Sequence, residues 1–150
     1  VPRGRTALLD SAGVFITEVG ERLAALPSDQ RPGQVICLIM TDGMENASRR
    51  WTWDAVKKLI TEQREVYGWK FIFLGADIDA VEVGERMGVD PRYAMTFDKG
   101  SDLTVRAAYA RTSGVMSDLK RGYLAREGFT AADRAEAMGE APKRKRKRGA

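Results

Sequence analysis

The chain has 150 residues, one domain's worth and enough to bury a core. Hydrophobic residues make up 43% and charged residues 31%, an ordinary globular balance, and no apolar run approaches the roughly 20 residues that span a bilayer. One cysteine excludes an intramolecular disulfide framework, and the lack of histidine excludes the usual zinc sites and the Ser-His and Cys-His catalytic arrangements, so any metal is a hard cation held by carboxylates and hydroxyls.

The formal charge of +4 is unevenly placed. Six of the 25 Lys and Arg residues are Lys143, Arg144, Lys145, Arg146, Lys147 and Arg148. The other 19 face 21 Asp and Glu, so residues 1–142 carry a net charge of about −2. This is a near-neutral domain with a basic tail. The sequence opens on Val and shows no charged-then-apolar leader, which suggests a fragment and a cytoplasmic location.

Leu8, Leu9, Ala12, Phe15, Ile16, Val19, Leu23 and Leu26 follow i, i+3, i+4, i+7 spacing. They predict an amphipathic helix over residues 6–26, stopped by Pro27. Residues 34–40 contain VICLIM, an unalternating apolar run that predicts a strand buried on both faces. Thr41, Asp42 and Gly43 make a polar turn at its carboxyl end. A second helix follows over residues 53–67, with Thr52 or Asp54 as cap. KFIFL, residues 70–74, is a second buried strand, and residues 79–87 a short helix ended by Gly88. Residues 92–97 suggest a third strand, and residues 101–126 a long helix capped by Ser101 or Asp102. Residues 127–150 are expected to be a flexible tail, with a loose turn or two of helix over residues 131–138 before the basic run.

This alternation predicts an α/β domain over residues 1–126, a doubly wound parallel sheet with helices on both faces. Ligands bind such sheets at the carboxyl ends of the strands, where Asp42 and Asp77 both fall. Three strands make a small sheet, however, and VICLIM carries neither charge nor proline to blunt an exposed edge. The first helix also lacks a preceding strand. Both features suggest that strands are missing upstream and that the domain is partial. The alternatives are a compact three-stranded domain or a dimer that pairs these edges, and the truncated form is expected to self-associate.

Three stretches together resemble the von Willebrand factor type A family, especially its small stand-alone bacterial and phage members. They are PRGRTALLDSAG (residues 2–13), LIMTDGMENAS (38–48) and FIFLGADIDAVEVGERMGV (71–89). The likeness covers residues 2–115, and residues 1–126 would be the C-terminal two-thirds of such a domain. The resemblance implies an adhesion site for Mg²⁺ (or Mn²⁺) at the top of the sheet, with Thr6 and Asp42 as metal ligands. The family's Asp-x-Ser-x-Ser loop does not occur in this sequence and would lie upstream. An underneutralised Mg²⁺ accepts a carboxylate from a partner protein, which allows binding without chemistry. Thr6 and Asp42 alone offer two oxygens, so weak or no Mg²⁺ binding is expected of this chain.

Other residues keep two readings. Glu45 and Asn46 are loop residues or stand around the metal site. Trp51 and Trp53 anchor a partner or pack at the head of the second helix. Asp77 and Asp79 form a second carboxylate site, or Asp79 caps the third helix while Asp77 stays solvated. Cys37 is expected to be a buried small apolar residue. The favoured function is a non-enzymatic protein-interaction module. A Mg²⁺-dependent α/β enzyme using Asp42 and Asp77 is one alternative, although the sequence has no Gly-rich phosphate loop. The other is a nucleic-acid-associated protein acting through residues 143–148.

Overall fold

The computed structural model describes residues 7–43, 47–121 and 128–140. Three strands, β1 (Ile36–Thr41), β2 (Lys70–Ala76) and β3 (Ala94–Phe97), form one parallel sheet in that order. Ile36 lies opposite Lys70, and Phe73 opposite Ala94. Helices α1 (Leu8–Ala24), α2 (Trp53–Glu65) and α3 (Ala80–Met87) pack on one face. Helices α4 (Asp102–Lys120) and α5 (Ala131–Ala137) pack on the other. The chain is therefore an α/β protein, as its alternating pattern predicts.

The central strand explains the layering. Side chains alternate across a strand, and β2 is apolar on both sides. Phe71 and Phe73 enter the core under α1, α2 and α3, while Ile72 and Leu74 enter the core under α4 and α5. Every residue of β2 after Lys70 is buried.

Local chemistry sets the helix ends. Thr52 accepts a hydrogen bond from the Ala55 amide at 3.1 Å, and Asp79 accepts one from the Glu82 amide at 3.1 Å. Ser101 caps α4 through the Leu103 amide. Gly88 ends α3 at φ 95°, and a Cβ there would stand 3.0 Å from the Lys57 carbonyl oxygen. Helix α4 ends at Lys120, short of residue 126; residues 122–127 lie outside the described residues.

The expectation of a flexible tail from residue 127 is corrected for residues 128–140. Phe129 and Ala137 are buried in the core beneath α4, and Thr130 and Asp133 form a capping box at the head of α5. This segment also closes the outer edge of the sheet. The Phe97 carbonyl faces β2, where it accepts from the Asp77 amide, so by alternation the even-numbered backbone groups face outward. The Phe129 amide donates to Arg92 O at 2.7 Å, Arg134 Nη1 to Ala94 O at 2.6 Å, and the Asp98 amide to Ala137 O at 3.0 Å. Composition hid this segment because its ordering rests on partners roughly 30 to 45 residues away in sequence.

The opposite edge is bare. The Val35 carbonyl accepts from the Lys70 amide, so the backbone groups of Ile36, Leu38 and Met40 face away from β2. They have no backbone partner among the described residues. The strand read as buried on both faces is half-open instead, with Leu38 37% and Met40 40% exposed. No helix among the described residues is long and apolar enough to cross a membrane.

Replacing Phe129 with Ala tests the corrected boundary. Removing a buried ring costs about 3 kcal/mol or more, so urea denaturation should show the whole domain destabilised. A tail residue would leave the midpoint unchanged.

Candidate functional site

The carboxyl ends of β1 and β2 lie side by side. Thr41 is opposite Gly75, so Asp42 is level with Ala76 and Asp77 stands one residue further on. Neighbouring strands are about 4.8 Å apart. The register thus brings Asp42 and Asp77 to the same end of the sheet, as expected for a ligand-binding end of an α/β fold.

Backbone geometry holds each of these positions. The Thr41 hydroxyl donates to Gly43 O at 2.8 Å and accepts from the Gly43 amide at 3.3 Å, forming the turn that carries Asp42. Asp77 adopts φ 55°, the left-handed region that Asp tolerates better than most residues. Its amide donates to Phe97 O at 3.0 Å. Thr96 pins the following loop: its hydroxyl accepts from the Ala80 amide at 3.0 Å and donates to Ile78 O at 2.7 Å. Ile78 then folds over Gly75, where a Cβ would stand 2.6 Å from its Cγ1.

The acids near this end divide into two kinds. Asp79 is committed to capping α3. Asp10, in the first turn of α1, is committed to the segment before α2. Its Oδ2 accepts from the Arg49 amide at 2.9 Å, and its Oδ1 from the Arg50 and Trp51 amides at 3.0 and 2.8 Å. Its own amide donates to Ser48 Oγ at 2.9 Å. The Arg49 and Trp51 amide bonds do most to hold the Asp10 carboxyl below its usual range, because they favour the charged form. Asp42 and Asp77, by contrast, are exposed, and their side chains have no hydrogen bond or ion pair with the described residues.

Asp10 is the residue that sequence reading missed. An acid in a first helical turn suggests only an interaction with the helix dipole, and its partners lie 39 to 41 residues away.

Trp51 is half-buried and its ring lies against Gly13, where a Cβ would stand 2.2 Å from Trp51 Cδ2. Trp53 lies under the Arg86 guanidinium, whose Cζ is 3.9 Å from the ring centroid. Cys37 is buried, and burial pushes its thiol up to about 11. Thr6, Glu45, Asn46 and residues 143–148 lie outside the described residues. Among the described residues no group of three or more Cys, Asp or Glu side chains gathers to hold a metal ion. Asp42 and Asp77 are thus the exposed carboxylates that the strand ends bring together.

Compared with known proteins, the chain matches no family model, no curated protein and no solved structure. The site is therefore interpreted from its own chemistry.

The Asp10 contacts carry a pH dependence. A carboxylate with a lowered folded pKa adds stability above its ordinary value of 3.8, and that stability is lost as pH falls through the folded value. Asp10→Asn would place an amide donor against backbone donors. The variant should melt below wild type at pH 7, and the gap should begin to narrow below about pH 4 and close as pH falls past the lowered folded value. Thermal melts across pH 2 to 7 check this.

Proposed function

We propose that this protein is a non-enzymatic protein-interaction module of the type A kind. In this reading its sheet is completed by a further strand along β1, and Asp42 ligates a Mg²⁺ that bridges to a partner's carboxylate. The observation that carries the reading is a β1 edge with no backbone partner among the described residues, beside an exposed Asp42 that none of them pairs with. A six-residue strand without charge or proline is usual inside a sheet and unusual at its rim. The other rim, along β3, is closed by residues 128–140, which makes the asymmetry specific to β1.

The electrostatics support the same reading. Asp10 and Asp79 each accept from backbone amides, whereas the Asp42 carboxylate has no hydrogen-bond or ion-pair partner among the described residues. A hard cation needs about six oxygens, and Mg²⁺ keeps several as water. One carboxylate from this chain leaves room for a partner's carboxylate and for the oxygens of a completing loop. The adjacency of Asp77 favours a second reading, a Mg²⁺-dependent enzyme in which both carboxylates share the ion.

Paramagnetic broadening of amide resonances by millimolar Mn²⁺ separates the two. The interaction module predicts weak broadening centred on Asp42 and Gly43, lost in Asp42→Ala and kept in Asp77→Ala. Loss in both variants would favour the shared site, and broadening that persists in Asp42→Ala would sink the metal-bridged reading.

The edge is tested separately by sedimentation. The chain alone should self-associate as concentration rises, and Leu38→Lys with Met40→Lys should suppress this because both side chains are already partly exposed. A wild-type chain that stays monomeric at high concentration would count against an open edge.

A further inference from the structure

A second site lies at the opposite, amino-terminal end of the strands. On α1, Gly13 and Gly20 are seven residues apart and so share a face of the helix. At Gly13 the notch is filled by the Trp51 ring, which lies within 2.2 to 2.6 Å of where a Cβ would be. At Gly20 nothing lies within 4 Å of that position. The Gly20 notch opens instead into a cavity of about 450 Å³ between the carboxyl-terminal ends of α1 and α2. That volume is in the range that holds small organic ligands.

The lining has a definite chemistry. Leu23 and Leu59 give apolar walls, and Trp69 and Tyr67 bring aromatic rings. Trp69 is fixed by stacking on Phe71 at 6.1 Å, while Tyr67 is 63% exposed at the mouth. Glu21 and Glu62 also line the cavity, and neither carboxylate has an ion-pair partner among the described residues. Arg31 is the cation of the lining, and its guanidinium is committed to Leu26 O and Ala24 O, both at 3.0 Å, at the end of α1. The carboxyl-terminal ends of two helices add negative potential to the same space.

We propose that this cavity binds a small aromatic organic cation. The ring occupies the Gly20 notch as Trp51 occupies the Gly13 notch, and the ammonium group faces Glu21 and Glu62. Aromatic faces and carboxylates together favour a cation over a neutral or anionic analogue of the same shape. The site is independent of Asp42 and of the β1 edge.

The test uses the full chain and amide and indole NMR shifts at neutral pH. The probes are 2-phenylethylammonium, neutral 2-phenylethanol and anionic 3-phenylpropanoate. The cation should shift the Gly20 amide and the Trp69 indole with sub-millimolar affinity. The alcohol should bind about five-fold more weakly, and the anion should not bind. Glu62→Gln should narrow the gap between the cation and the alcohol, and Glu21→Gln with Glu62→Gln should narrow it further. Gly20→Leu should abolish binding without lowering the melting midpoint, since the notch is empty. If that variant does not fold, Gly20→Ala should still weaken the cation while raising helix stability by about 0.5 to 1 kcal/mol. Equal binding of cation and alcohol, shifts centred on Trp51 or Trp53, binding that survives both Gly20 variants, or no shift at all would each overturn the proposal.

Discussion

The structure depends on one strand being buried on every side. β2 pairs with β1 and β3 along its two edges, and helical layers cover its two faces. Its backbone donors and acceptors must be satisfied by parallel neighbours, and its apolar side chains need cover both above and below. These demands order the rest of the chain. Helices α2 and α3 connect successive strands on one face, and α4 and α5 return across the other. The register that β2 imposes on β1 brings Asp42 and Asp77 to one end of the sheet.

The two rims of that sheet are treated differently. Along β3, a glycine at φ 57°, a buried phenylalanine and an arginine bring residues 128–140 against the outward carbonyls. A Cβ at Gly128 would collide with the Arg92 carbonyl oxygen, so the close approach requires glycine. Burial pushes the pKa of the Arg134 guanidinium down, and Arg134 holds its place by donating to two backbone carbonyls. Nothing comparable lies along β1 among the described residues. An open row of backbone groups next to exposed leucine and methionine side chains is a surface suited to another strand. That contrast is what the proposed interaction role rests on.

Helix α1 connects the two ends of the molecule. Its first turn supplies Asp10, whose carboxylate gathers three successive amides and sets the path into α2. That path carries Trp51 into the Gly13 notch. The upper halves of α1 and α2 are thereby locked together, while the lower halves leave the Gly20 cavity open. The Asp10 carboxylate thus fixes residues 49–51 at the head of α2.

Much of this was legible in the sequence. Periodicity located the helices and strands through residue 120, because amphipathic spacing and buried apolar runs are local signals. Thr52, Asp79, Ser101 and Gly88 mark helix ends through contacts within three or four residues of themselves. The carboxyl-end placement of Asp42 and Asp77 followed from strand position alone. Tertiary structure decided the features that rest on distant partners. Asp10 became a clamp because Arg49, Arg50 and Trp51 came within hydrogen-bond reach. Residues 128–140, polar and alanine-rich, became part of the core because β3 offered them unpaired carbonyls. The contrast between the filled and empty glycine notches on α1 likewise exists only once two helices pack. A sequence states what each residue can offer, but long-range pairing determines which offers are taken up.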